Sequence, residues 1–226
     1  MKKRLIVAAL ALSLLASACG GDDGGGDAAP DAQGGPTTTA APVRGGTIVQ
    51  AISSDPGHLN PAVTSGGAVH SASEMMFNGL VGWGPDGKPV PELAESWTIE
   101  GNGTAYRFAL RQGVKWHDGR DFTSDDVKFS FERALLRLHS RTQASMGSAQ
   151  VTIEAPDPRT VVFRFPNPYA PLLQQLNVTE APIIPKHVYE GCADLSTAAA
   201  CPANRQPVGT GPFKLDSYTV QEIRMS

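Results

Sequence analysis

Five histidines, three cysteines and a few paired acids are the side chains of this 226-residue chain best suited to catalysis or metal binding. The histidines are His58, His70, His117, His139 and His187, and none stands in a His-Glu-x-x-His helix or in a Cys/His spacing that suits zinc. No metal site is expected. His117-Asp118 has the form of a base beside its orienting carboxylate, yet Trp116-His117-Asp118-Gly119 ends in an Asp-Gly turn signal, so a turn is expected instead. Asp125 and Asp126 are paired acids at the start of an expected helix, where negative charge suits the helix dipole. Gly209-Thr210-Gly211 runs into Pro212, without the lysine and following helix of a phosphate loop. No Gly-x-Ser-x-Gly elbow occurs, and Met75-Met76-Phe77 reads as core. These patterns predict no catalytic residue and no cofactor.

The elements that hold these side chains are of mixed type. Thr47–Ile52 is β-prone, and Asp55-Pro56-Gly57 and Asn60-Pro61 break regular structure after it. Val69, Ala72, Met76 and Leu80 share one face of a helix, with Thr64 or Ser65 placed to cap its start. Pro85-Asp86-Gly87 follows a strand at Leu80–Trp83, and Gly101-Asn102-Gly103 joins strands Ser96–Glu100 and Ala105–Leu110. In the latter, Tyr106, Phe108 and Leu110 alternate with Arg107 and Ala109. Thr123 and Asp126 approximate a capping box before the stripe Val127, Phe131, Ala134, Leu135 and Leu138, and Arg133, Arg137, His139 and Arg141 place positive charge at the far end. Val151–Ala155 and Thr160–Phe165 flank Pro156-Asp157-Pro158-Arg159 as a hairpin. A short helix near Tyr169–Leu176 and a strand at Ile183–Ile184 follow. The pattern is α/β, without repeats or strict strand–helix alternation.

The N-terminus sets the compartment. Lys2, Lys3 and Arg4 precede an apolar run from Leu5 to Leu15, too short to span a bilayer but the right form for a secretory signal over residues 1–18. Ala16-Ser17-Ala18-Cys19 resembles a lipobox, in which Cys19 takes a diacylglycerol, although Ala16 stands where a larger aliphatic residue is usual. An ordinary cleaved signal with an incidental cysteine is the alternative. Residues 20–42, rich in Gly, Asp, Ala and Thr and without aromatic or large aliphatic side chains, mark an expected disordered tether over 19–43. The formal charge is −3, and loss of the three cations in 1–18 takes it to −6. Nucleic acid is disfavoured as a partner, and the membrane is expected to be reached through the lipid alone. In an exported protein Cys192 and Cys201 point to a disulfide, with two free thiols as the alternative.

Four segments, in order, resemble the extracellular solute-binding proteins of the dipeptide, oligopeptide and nickel ABC importers. They are Gly45-Gly46-Thr47-Ile48-Val49 with Asp55–Pro61; Pro91-Glu92-Leu93-Ala94-Glu95-Ser96-Trp97 with Tyr106-Arg107-Phe108; Leu110–Gly119 with Phe122-Thr123 and Asp126–Ser130; and Ile183–Tyr189 with Pro207–Leu215. The resemblance implies a periplasmic-binding-protein type II fold, two lobes closing on a ligand, with a subdomain inserted in the first. Residues 44–80 and 166–226 would then be lobe I and 81–165 the insertion. The second lobe would be absent from this chain, whose binding is expected to be weaker than a complete receptor's. The resemblance further implies a monomer outside the membrane, held at its outer face or in the periplasm by Cys19. It would pass a peptide or related small solute to permease subunits driven by cytoplasmic ATPases. By position after Leu59-Asn60-Pro61, the residues Thr64, Ser65, Gly66 and Gly67 are expected to line the ligand cleft, or else to form only the loop before the helix. An exported hydrolase, a sensory or structural lipoprotein, and nickel as ligand are the competing readings.

Overall fold

Pro85-Asp86-Gly87 turns the chain between β1 (Val81–Trp83) and β2 (Pro89–Pro91), the first antiparallel pair in the computed structural model, which describes residues 45–226. The signal expected at 1–18, the tether at 19–43 and the lipidation residue Cys19 lie outside the described residues. Alternation then builds the main sheet. Along β3 (Ala94–Glu100) and β4 (Ala105–Leu110), Tyr106, Phe108 and Leu110 point into the interior while Arg107 faces water. With β5 (Thr152–Asp157) and β6 (Thr160–Arg164) these strands form a four-stranded antiparallel sheet in the order β3-β4-β6-β5. A last hairpin joins β7 (Leu215–Tyr218) to β8 (Ile223–Met225). Val49–Ser226 make one compact unit. Among the described residues no helix is long and apolar enough to cross a membrane.

The helices are short. The first, α1 (Gly67–Ser73), buries Val69 and Ala72, and a 3-10 turn at Glu74–Met76 continues it, so Leu80 lies beyond its end. Neither Thr64 nor Ser65 caps it: Gly66 occupies that position. The second, α2 (Ser124–Phe129), starts as its sequence predicts, with the Asp126 carboxylate accepting from the Thr123 N–H at 2.9 Å. Beyond it, Ser130–Leu135 widens to π-type turns. The Ser130 hydroxyl bonds the Asp126 carbonyl at 2.7 Å, competing with the ladder at that point. Phe131 packs on Phe163 of β6 with ring centroids 5.0 Å apart, and Phe108 meets Phe163 at 5.6 Å, which fixes this helical segment against the sheet. A further turn, α3 (Ser140–Thr142), is capped by His139, which is wholly buried rather than a surface cation at a helix end. The last, α4 (Lys186–Tyr189), follows Ile183-Ile184 after the N-cap residue Pro185.

Two expected strands are absent. Thr47–Ile52 pairs with no strand among the described residues, since a β-prone run becomes a strand only with a ladder partner. Ile183 and Ile184 are buried but have no partner strand. Their N–H groups are satisfied by the Asn78 carbonyl at 3.0 Å and the Ser130 hydroxyl at 2.9 Å.

Candidate functional site

The segment Thr64–Gly67 leaves a rigid base. Asn60 opens a 3-10 turn at Pro61–Val63, its side chain accepting from the Ala62 N–H at 3.0 Å, with Pro61 pre-set for the first position. Asn60 is itself locked, since its side-chain amide donates to Asn204 at 2.8 Å and the Leu59 N–H donates to the Asn204 carbonyl at 2.7 Å. Thr64 ends the turn in extended conformation, and its hydroxyl accepts from the Gly66 N–H at 3.0 Å. His70 Nε2 bonds the Thr64 carbonyl at 2.9 Å. The Ser65 and Ser140 hydroxyls meet at 2.6 Å. The segment is therefore fastened from beneath, and Gly66 and Gly67 are left exposed at its top.

The two glycines differ in why they are there. A Cβ on Gly66 would press on the Thr64 hydroxyl at 3.2 Å, whereas one on Gly67 would meet nothing within 4 Å. Neither lies in the left-handed region. Gly67 thus answers no steric need inside the fold, and the bare backbone it presents is open to an incoming chain.

The histidine-bearing motifs do other work. Both ring nitrogens of His117 are engaged: Nδ1 accepts from the Gly209 N–H at 3.2 Å, and Nε2 donates to the Gly211 carbonyl at 2.9 Å. Asp118 turns away from it, accepting from the Arg120 N–H at 3.1 Å and pairing with His187 Nε2 at 2.7 Å. Burial pushes the Asp118 carboxyl up, but the His187 and Arg120 contacts outweigh it and hold the group below its ordinary value. His117 and Asp118 are not a base and its orienter. Gly209-Thr210-Gly211 crosses the Met75-Met76 backbone so closely that a Cβ on Gly209 would fall 1.6 Å from the Met76 carbonyl oxygen. Asp126, read from sequence as a first-turn acid, is mostly buried. It accepts from the Thr123 N–H, from Trp116 Nε1 at 3.3 Å and, through its other oxygen, from the Lys186 N–H of α4 at 2.9 Å. Burial raises its carboxyl above the ordinary value despite these bonds.

Cys192 and Cys201 are joined, with Cα atoms 5.1 Å apart. The closed loop contains Leu195 and Thr197, whose carbonyls accept from the buried Asn204 side chain at 2.8 and 3.4 Å. The bridge thereby supports the same Asn204 that locks Asn60. Sequence reasoning missed the contacts of His70, Ser140 and Arg141 beneath the Thr64–Gly67 segment, for which no local pattern gives a signal.

Away from this segment, an open groove of about 620 Å³ is bordered by Asp55, Arg205, Pro207, Leu215, Tyr218 and Val220. In it Tyr218 donates to Asp55 at 2.6 Å, and burial together with that carboxylate pushes the phenol up to about 12. No group of three or more His, Cys, Asp or Glu side chains among the described residues is arranged to hold a metal ion.

Comparisons with known proteins bear on the family and the fold. Residues 88–226 match the family described as bacterial extracellular solute-binding proteins, family 5 Middle. The dipeptide-binding protein of Escherichia coli (strain K12) is 32% identical over 200 residues, which are 80% of this chain and 37% of that protein. The crystal structure of NikZ from Campylobacter jejuni with Ni(L-His) superposes with a TM-score of 0.61 at 27% identity, over 79% of this chain and 34% of the other. The periplasmic binding protein DppA from Helicobacter pylori, in complex with peptide STSA, superposes with a TM-score of 0.63 at 27% identity, over 76% of this chain and 37% of the other. The chain thus spans about a third of the length of these relatives, and its fold is that of the type II periplasmic binding proteins. It belongs to the bacterial extracellular solute-binding proteins, family 5.

Proposed function

We propose that this protein is a solute-binding lipoprotein of an ABC importer, taking peptides outside the membrane and delivering them to permease subunits. Thr64–Gly67 lines the cleft in this reading, Cys19 carries the lipid, and no step of catalysis is involved. Residues 44–80 and 166–226 belong to one lobe and 81–165 to an inserted subdomain. In support, the four-stranded sheet and α2 fall wholly between residues 94 and 164.

Gly67 carries the assignment of the site. It is exposed, at the first position of α1, in a conformation open to any residue and with nothing for a side chain to strike. An extended peptide bound mainly through its backbone needs a surface that its own backbone can approach closely, as in strand addition. A glycine with no internal purpose beside a fastened loop meets that need.

Gly67→Ala tests the reading because alanine suits the helix start. The substitution is expected to hold or raise stability, by about 0.4–1 kcal/mol from the unfolded state alone. The added methyl is expected to weaken the chain's calorimetric response to a panel of di- to tetrapeptides. Peptide binding that is unchanged in the variant would remove this segment from the cleft. A response to nickel–histidine and to no peptide would move the ligand assignment to a metal chelate.

A further inference from the structure

Arg141 reaches three acceptors from the single turn of α3. Its Nη1 lies 3.5 Å from the Ser65 carbonyl, its Nη2 bonds the Thr179 carbonyl at 3.0 Å, and its Nε bonds the Glu180 carboxylate at 3.0 Å. On either side of it, the Ser140 hydroxyl meets that of Ser65 and the Thr142 hydroxyl donates to the Glu180 carbonyl at 2.6 Å. One turn therefore bridges Ser65 to Thr179 and Glu180, which lie more than a hundred residues apart in the chain.

As an ion pair this contact is minor. Arg141 and Glu180 side chains are 42% and 30% exposed, and pairs of that kind stabilise little. The geometry says more than the charge. A guanidinium holds its donors in a rigid planar fork, so acceptors bound at three of its nitrogens are fixed relative to one another. An ammonium at the same place supplies charge without that constraint.

We propose that Arg141 is a positioning residue for ligand binding, setting the place of the Ser65-Gly66-Gly67 backbone against the Thr179-Glu180 loop. The proposal rests on the reading of Thr64–Gly67 as the cleft-lining segment. Through Arg141 the helical region after α2 fixes the surface on which the ligand backbone lies, without touching the ligand.

The test compares the unaltered full chain with Arg141→Ala and Arg141→Lys, using amide NMR of Gly66 and Gly67, thermal melting and a dipeptide titration. Both variants are expected to melt close to the unaltered chain, as surface substitutions do. In both, the Gly66 and Gly67 signals are expected to shift or broaden, and the dipeptide response there to weaken about fivefold. Lysine is expected to fail nearly as badly as alanine, because charge alone does not restore the fork. Low-millimolar guanidinium added to Arg141→Ala is expected to return both glycine signals toward their original positions. Glycine signals that stay put in both variants overturn the proposal. If those signals move in the variants but no dipeptide perturbs them in the unaltered chain, the cleft reading fails, and the ligand role of Arg141 fails with it.

Discussion

Burying an imidazole while one of its nitrogens lacks a partner costs free energy, and His139 stands in that position. Nε2 of His139 makes no hydrogen bond, and its ring meets that of His70, whose Nδ1 lies 3.3 Å from the Glu74 carboxylate, edge to face at 5.6 Å. Burial, with the neighbouring His70 and Arg141, drives the His139 imidazole down to about 4. Its folded value thus lies below the unfolded value of about 6.5, so the native state binds fewer protons than the unfolded state between the two. The stability that depends on neutral His139 is complete above the unfolded value and is lost as pH falls toward the folded one. By pH 4 the loss is expected to be on the order of 3 kcal/mol. Urea unfolding across this range tests it: His139→Phe is expected to show a slope shallower by about one proton, at the cost of the cap on Thr142. An unchanged slope would mean that His139 is not neutral and buried. Such roles were only half legible in the sequence. His117-Asp118 read correctly as a turn rather than a catalytic pair, but that His117 holds Gly209 and Gly211 depends on residues more than ninety positions away.

Elements were legible where one face meets water and the other the core. The alternation of Tyr106, Phe108 and Leu110 marked β4, and Thr123 with Asp126 marked the start of α2. The period fails as a guide where both faces are buried. Ile183-Ile184 has a strand's composition, but a serine hydroxyl and a loop carbonyl satisfy its backbone, and no local pattern reports such distant partners. The loop closed by Cys192 and Cys201 is the element whose energetics are easiest to isolate. Replacing both cysteines by serine is expected to cost about 2–3 kcal/mol in the chain-entropy account of a loop this short. Because Leu195 and Thr197 hold Asn204, and Asn204 holds Asn60, the loss is expected to loosen Pro61–Thr64 as well. Hydrogen exchange in the doubly substituted chain tests this: faster exchange at Ala62 is expected, and protection unchanged there would break the proposed link.

At the scale of the whole molecule, the second, third and fourth of the segments that carry the family resemblance meet one another rather than a shared catalytic centre. Glu92 accepts from Asn78 at 2.6 Å, whose side-chain oxygen in turn accepts from Thr210 at 2.9 Å. His117 meets Gly209 and Gly211, and Asp126 meets Lys186. These joints form a frame, and Thr64–Gly67, exposed at Gly66 and Gly67, is held apart from them by His70, Ser140 and Arg141. Under the proposed reading, the 226-residue chain, which spans about a third of the relatives' length, is expected to bind dipeptides weakly and in rapid exchange. Amide NMR of the isotope-labelled chain, titrated with a mixture of dipeptides to millimolar concentration, tests the central claim most directly. Saturable shifts centred on Ser65, Gly66 and Gly67 are expected. Shifts confined to the groove at Arg205 and Tyr218, or none at Gly66 and Gly67 under those conditions, would contradict it.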